Sequence, residues 1–357
     1  MVYDVIIIWW GASGLFCSMF LPKERKKAII EKTDTLWTKV LLSWWERCNL
    51  TNIHLDPELH YIWQLLKSLP SLFHTFWPED MIQYLTKNDI ETKIEENGRV
   101  LLKSWKAKQL VDFLVEESKK NDTEFLLSHE VYSITTAASH NFVVTTSAGV
   151  YSAKRVIIAT WGMTYPQIGA SPFAYEMAES LWLTISSPHA ALCGIETKED
   201  LSLLAGNTVQ TLLTLYCDNK IVYTSKWSLL FTHWWVSWPI IFDATLYIDG
   251  DASKYSVQCD FDLSWTSKKV IQQFKLVEGD TIRDFSIKSL RSIEEAKVSV
   301  WWILLKELDQ SFQSKKIPWL YFIGESVDIT GKTWWYNLQR AWTSAYVCAK
   351  SITNFKK

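Results

Sequence analysis

The sequence predicts an α/β fold that opens on a dinucleotide-binding βαβ unit, and three observations carry the prediction. Asp4-Val5-Ile6-Ile7-Ile8 ends in an apolar run, the pattern of a buried parallel strand. Gly11 and Gly14 follow and open an apolar helical stretch, Leu15 to Leu21. Ala28-Ile29-Ile30-Glu31 is then a second apolar strand, ending on an acid about twenty residues past the glycines, as a ribose-binding acid requires. In this geometry a pyrophosphate sits on the N–H groups of a helix start. Trp9 stands where the G-x-G-x-x-G spacing has its first glycine. The competing reading is an ordinary α/β turn with an exposed Glu31.

The rest of the chain extends this unit. Lys39 to Asn52 is dense in polar groups around Arg47, a side chain suited to phosphate. Residues 55–95 read as helical with polar breaks, and Ala107 to Lys119 as an amphipathic helix. Glu124–Leu127, Glu130–Thr135 and Phe142–Thr146 read as a small antiparallel sheet. Tyr151 to Thr160 reads as one buried strand whose end, Thr160-Trp161-Gly162, is a turn at a sheet's carboxyl edge. From about 190 the runs turn short and β-like: Gln210–Tyr216, Lys220–Thr224, Leu229–Thr232, Ile240–Leu246 and Ser256–Leu263. Residues 266–295, with Ile282–Leu290 among them, read as helical and charged. Trp319 to Ile323 is a last buried strand, followed by Gly324-Glu325 and a final helix from near Asn337 to about Ser351. The expected division is 1–190, 191–316 and 317–357, with the two outer segments sharing one parallel sheet.

Composition narrows the function. The net charge of -2 provides no basic field for nucleic acid or anionic lipid, so neither partner is expected. No apolar run reaches the roughly 18 residues of a membrane span. The start reads as a strand rather than a signal peptide. Six scattered cysteines without C-x-x-C spacing read as reduced thiols, with no metal site, and the expected location is the cytoplasm.

One feature of the composition is abnormal. The chain has 21 Trp and 12 Gly among 357 residues. Many tryptophans neighbour Ser, Thr, Asn or Pro, where turn chemistry asks for glycine.

The segments VIIIWWGASGL, KVLLSWWERCNLTN, GRVLLKSWKAKQLVDFL, IIATWGMTYPQIGAS, SLLFTHWWVSWPIIF and WLYFIGESVDITGKTWWYNLQRA together resemble a family. It is the bacterial FAD-dependent flavoproteins grouped as aminoacetone-oxidase-like, including the NADH-dependent dehydro-bile-acid reductases. The resemblance spans nearly the whole chain. It implies a glutathione-reductase-like, Rossmann FAD-binding domain built from both chain ends, with an inserted β-barrel plus helical domain. The family carries glycine where this chain has Trp9, Trp37, Trp44, Trp45, Trp105, Trp161, Trp182, Trp227, Trp235, Trp238, Trp301, Trp302, Trp319, Trp334 and Trp335. Trp342 is compatible with the family.

The resemblance also implies a site. Gly11, Ser13 and Gly14 would receive the FAD pyrophosphate and Glu31 the adenosine ribose. Lys32 would flank the adenine, which Val131 touches through its backbone. Arg47 and Asn49 match the family's polar loop beside the cofactor, and Thr160 and Gly162 would line the dinucleotide. Gly324 and Glu325 fall where the fold supports the ribitol. Asn337, Leu338 and Gln339 fall where a helix start faces the flavin.

These residues point to a flavin-dependent oxidoreductase passing hydride from NAD(P)H to flavin and on to a small-molecule substrate. His233 is the candidate proton donor, with a structural histidine as the alternative. Cys48 is a weaker redox candidate. Two other readings stand beside this one. One is an FAD-binding or RNA-modifying module, which the charge argues against. The other is a cofactor-free chain, impaired chiefly by Trp9, Trp44, Trp45, Trp334 and Trp335 at places where backbone approaches the cofactor.

Overall fold

The computed structural model describes every residue except 1, 10, 35–40, 42–47, 64–68, 139, 161, 167–168, 186–188, 301–302 and 355–357. Two units divide it: Met1–Ser186 with Trp301–Lys357, and Ser187–Val300.

The first unit is built on a five-stranded parallel sheet in the order Leu320–Phe322, Val156–Ile158, Val5–Ile8, Lys27–Ile30, Thr123–Leu126. Every pairing is parallel, with Ile7 opposite Ile29 and Ile157, and Ile157 opposite Tyr321. Val5–Ile8 is buried throughout because helices cover the sheet, so a continuous apolar run is the right sequence for it. The helix Ala12–Phe20 packs between Ala107–Lys120 and the final helix Trp334–Asn354. Phe16 meets the rings of Phe76, Tyr84 and Trp342 edge-on. Ser18 donates to Ser118 at 2.8 Å, and the Asn121 amide donates to the carbonyls of Ser18 and Leu21, closing the helix end.

Several elements differ from their sequence reading, each for a physical reason. Thr123–Leu126 is the fifth strand of the parallel sheet rather than part of the antiparallel one. Its partner is Lys27–Ile30, a choice made by packing across the sheet that no local pattern records. Tyr151 to Thr160 is two strands. Gly149–Ala153 pairs antiparallel with Phe142–Thr146, and Val156–Ile158 joins the parallel sheet. The break falls at Lys154 and Arg155, where Lys154 turns out to meet Asp4 at 2.8 Å. Residues 55–95 hold the helices Pro57–His60, Leu69–Phe73 and Pro78–Lys87, as read, but also the strands Tyr61–Trp63 and Thr92–Ile94.

The second unit is a closed barrel of Ile195–Thr197, Val236–Ser237, Lys220–Phe231, Thr208–Cys217, Tyr255–Phe261 and Ile282–Leu290. Its interior is filled by Val209, Leu213, Leu215, Phe231, Val257, Phe285 and Ile287. Ile282–Leu290 was expected helical and is a strand. Phe285 and Ile287 face in while Ile282 and Asp284 lie out, a period of two that the charged residues obscure. Ile240–Leu246 was expected extended and is helical. Pro239 at its first turn suits a helix start, and both faces of the segment are largely buried.

Candidate cofactor site

Gly11, Glu31, Thr160 and Gly324 follow the carboxyl ends of the parallel strands of the first unit, where ligands lie in open α/β sheets. Gly11 precedes the helix Ala12–Phe20 and no side chain caps it, so the first N–H groups and the positive end of the helix dipole are available. A Cβ on Gly14 would lie 2.4 Å from the Trp9 carbonyl oxygen, so the helix approaches the strand only because this position lacks one. Gly324 arrives from the other chain end with φ +69°, directly against Ser13. Its N–H donates to the Ser344 hydroxyl at 3.0 Å. Thr160 is fully buried, its hydroxyl has no hydrogen-bond partner among the described residues, and Gly162 is buried just beyond it. The side-chain oxygen of Asn49 is likewise buried without one. Orphaned polar atoms of this kind, beside glycines that hold the backbone open, fit a bound dinucleotide such as FAD.

Beside the Glu31 end of its strand lies a cavity of about 200 Å³ lined by Trp9, Lys32, His129, Glu130, Val131 and Glu176, among others. That is below the roughly 300–1,000 Å³ of ordinary ligand pockets, and Trp9 is one of its walls. Glu31 is buried at the end of its strand, and its carboxylate accepts from the Thr33 N–H at 2.8 Å and the Thr33 hydroxyl at 2.9 Å. Lys32 lies 3.6 Å from the Glu130 carboxylate. His129 bonds the Leu127 carbonyl and, at 2.7 Å, the Tyr151 hydroxyl. Sequence reasoning missed His129 and Glu176, which reach the cavity from segments without any motif.

At the start of the final helix, Asn337, Leu338 and Gln339 are all buried. The Asn337 side chain accepts from the Gly331 N–H at 3.0 Å and donates to the Gly331 carbonyl at 2.8 Å. The Gln339 amide donates to the Phe76 carbonyl at 2.9 Å and its oxygen accepts from Thr51 at 2.6 Å. Both side chains therefore tie the helix to its surroundings. Glu325 is half-buried beside Gly324. Arg47 lies outside the described residues, as do Trp37, Trp44, Trp45, Trp161, Trp301 and Trp302. Cys48 is fully buried, and burial pushes its thiol up to about 12. It is therefore a protonated core thiol at neutral pH and not the redox candidate the sequence suggested.

A buried acid that no motif announces lies between these segments. Burial pushes the Asp328 carboxyl up to about 6, while the Arg340 guanidinium acts in the opposite direction. Arg340, itself buried, donates to the Ile329 carbonyl, and burial lowers its own pKa. His233 belongs to the second unit, exposed on a turn whose N–H groups at Trp234 and Trp235 donate to the Thr232 hydroxyl.

The tryptophans leave a backbone signature. Trp9, Trp105, Trp182, Trp238 and Trp319 all have positive φ, between 57° and 93°. All five are among the positions where the resemblance leads one to expect glycine. Trp238, at φ 93° and ψ 167°, occupies a region essentially reserved for glycine. Trp235 crowds Gly194, where a Cβ would lie 2.3 Å from its ring. Trp342 is ordinary by contrast: helical, fully buried, with its indole N–H donating to the Leu50 carbonyl at 2.9 Å.

The family model described as the HI0933-like protein Rossmann domain matches residues 3–351. The chain is 28% identical to the ribosomal RNA dihydrouridine synthase of Escherichia coli (strain K12), with 98% of both chains covered. It is 19% identical to the 3-dehydro-bile acid delta(4,6)-reductase of Clostridium scindens, covering 97% of this chain and 98% of that protein. Among solved structures it shares the fold of the 3-ketosteroid-delta4-(5alpha)-dehydrogenase from Rhodococcus jostii RHA1, with a TM-score of 0.60, 12% identity, and 100% and 97% of the two chains covered. The first relative overturns the expectation of no nucleic-acid partner. That expectation rested on net charge, which averages over the whole surface. Recognition of an unpaired nucleotide needs only local aromatics and a few nearby cations. Among the described residues no helix is long and apolar enough to cross a membrane.

Proposed function

Because the chain belongs to the HI0933-like Rossmann family, whose fold is that of FAD-binding oxidoreductases, we propose that it is a flavin-dependent reductase of uridine in ribosomal RNA. The observation that carries this reading is the extent of the match. The ribosomal RNA dihydrouridine synthase is covered over 98% of its length, so the barrel unit matches along with the FAD-binding segments.

The chemistry is coherent with both named relatives. Dihydrouridine forms when the uracil 5,6 double bond, conjugated to a carbonyl, takes up a hydride and a proton. A 3-dehydro bile acid with delta-4,6 unsaturation presents the same conjugated system. Bound FAD would supply the hydride, with NAD(P)H as the donor that restores it. The chain's own residues would hold the cofactor. Gly11, Ser13 and Gly14 present helix N–H groups to the pyrophosphate, and Glu31 accepts from the ribose. Lys32 and Val131 border the adenine. Thr160, Gly162, Gly324 and Glu325 line the middle of the dinucleotide, and Asn337, Leu338 and Gln339 support the flavin end. Glycine is the working residue at Trp9, Trp105, Trp182, Trp238 and Trp319, and tryptophan at Trp9 narrows the adenosine pocket. The working location is the cytoplasm.

The test is reduction of an unmodified ribosomal RNA transcript by the purified chain with FAD and NAD(P)H, without oxygen. Digested RNA should contain dihydrouridine by mass spectrometry, alongside oxidised nicotinamide. Oxidation of NAD(P)H with a conjugated steroid enone but with no RNA product would instead establish the bile-acid-type reading.

A further inference from the structure

We propose that the end of the barrel around Asn207 is the face on which unpaired RNA docks; this rests on the reading above that the substrate is an RNA uridine. Asn207 ties three segments together. Its carbonyl accepts from the Phe231 N–H at 3.0 Å, its N–H donates to the Leu204 carbonyl at 3.1 Å, and its side-chain oxygen accepts from the Ser267 hydroxyl at 2.7 Å. The short helix Ser202–Leu204, the turn at 232–235, and the stretch from Leu263–Trp265 into the helix Lys268–Phe274 therefore share one end of the barrel.

Each segment presents a large apolar side chain to solvent: Leu203 at 63% exposure, Trp234 at 76% and Trp265 at 71%. Both indoles sit on turns that are held rigid. Thr232 fixes the backbone of Trp234, and Asp262 caps the turn of Trp265 through the Ser264 N–H at 3.1 Å. Neither tryptophan is among the positions where the resemblance leads one to expect glycine. Exposed indoles on fixed turns at one end of the barrel suit a binding surface.

The local charge selects the occupant. Lys268 and Lys269 are exposed beside Trp265, and Lys226 lies 3.8 Å from the Asp262 carboxylate, offsetting it. The Asp200 carboxylate accepts from the Ser202 N–H at 2.9 Å. Aromatic faces interleaved with lysines suit single-stranded nucleic acid, where bases stack and phosphates meet cations.

The probe is a fluorescently labelled, uridine-rich single-stranded RNA titrated against the full chain at several salt concentrations. Trp234→Ala and Trp265→Ala should each weaken binding roughly tenfold, the effect of losing one stacked base. Lys268→Gln with Lys269→Gln should flatten the salt dependence by about two released counterions. Circular dichroism melts should stay unchanged, because these side chains are exposed. Equal affinity of parent and variants, with the parent binding, overturns the docking face and leaves the substrate reading intact. A parent that binds no RNA overturns both. Loss of binding to anionic lipid vesicles rather than RNA in the tryptophan variants also overturns the proposal.

A second inference rests on a separate observation, the five positive-φ tryptophans. We infer that one codon, read as glycine where this protein is made, specifies Trp9, Trp105, Trp182, Trp238 and Trp319. These five share a positive φ, which glycine adopts freely, and the resemblance gives glycine at every one, so a single codon accounts for one direction of change at all of them. The ordinary tryptophan codon is UGG, and UGA differs from it only in the third base. Peptide mass spectrometry of the protein from its source should show glycine at these five positions and tryptophan at 342. The gene should carry UGA at the five and UGG at 342. Tryptophan in the peptides at all of these positions, or UGG throughout, overturns the inference.

Discussion

Gly324 lies so close to Ser13 that a Cβ placed on it would sit 2.5 Å from the Ser13 hydroxyl oxygen. Ser13 stands in the first turn of the first helix and Gly324 directly follows the last parallel strand, so the contact joins the two chain ends at the proposed pyrophosphate. Gly324 also has φ +69°. Gly324→Ala should therefore lose roughly 1–2 kcal/mol from backbone strain and about 1–3 kcal/mol more from overpacking. Thermal melting and flavin retention after desalting should fall together. A variant that melts with the parent and keeps its flavin would remove Gly324 from the cradle.

Glu31 is held ready by Thr33, which donates twice to one carboxylate oxygen. Glu31→Ala in a chain carrying glycine at Trp9 should weaken FAD by about 1.5–3 kcal/mol, the range for a hydrogen bond to a charged group. Fluorescence titration gives the comparison, and equal affinities would take Glu31 out of the site.

Asp328 should make stability depend on pH. Burial raises its carboxyl from 3.8 to about 6 against the pull of Arg340. A raised folded-state value means the neutral form is favoured on folding. The contribution is complete below the unfolded value near 4 and is lost as pH rises through about 6. A shift of about two units corresponds to roughly 3 kcal/mol. Asp328→Asn should then gain on the parent in urea denaturation as pH moves from 4 to 7. A stability difference that is flat over that window would show that Asp328 is not buried as a neutral acid.

Trp238→Gly should raise the melting temperature, because a non-glycine residue in this conformation costs on the order of 1–3 kcal/mol. Trp342→Gly is the contrast. It removes a fully buried indole bonded to the Leu50 carbonyl and places glycine inside a helix, so it should lower stability by more than about 3 kcal/mol. A Trp238→Gly protein that melts at or below the parent would mean that the strain has been relieved elsewhere.

Much of the first unit is legible in the chain. Val5–Ile8, Lys27–Ile30, Val156–Ile158 and Leu320–Phe322 are apolar runs ended by Gly, Glu or Thr, and all four lie in one parallel sheet. The reading failed where pairing is a choice between distant partners. Thr123–Leu126 looks the same to a local pattern whether it joins the parallel sheet or the hairpin after it. Ile282–Leu290 failed because Arg283, Asp284 and Lys288 dilute the alternation that buries Phe285 and Ile287.

By itself the sequence determined the βαβ start, the apolar strands of both chain ends and the excess of tryptophan at turn positions, because periodicity and turn chemistry are properties of neighbouring residues. Tertiary structure alone decided the contact of Ser13 with Gly324, the engagement of Gln339 with Phe76 and Thr51, the burial that pushes Asp328 up to about 6 and Cys48 up to about 12, and the meeting of Leu204, Phe231 and Ser267 at Asn207. Desolvation and close approach depend on which distant segments meet, and that is settled only when the sheets and the barrel close.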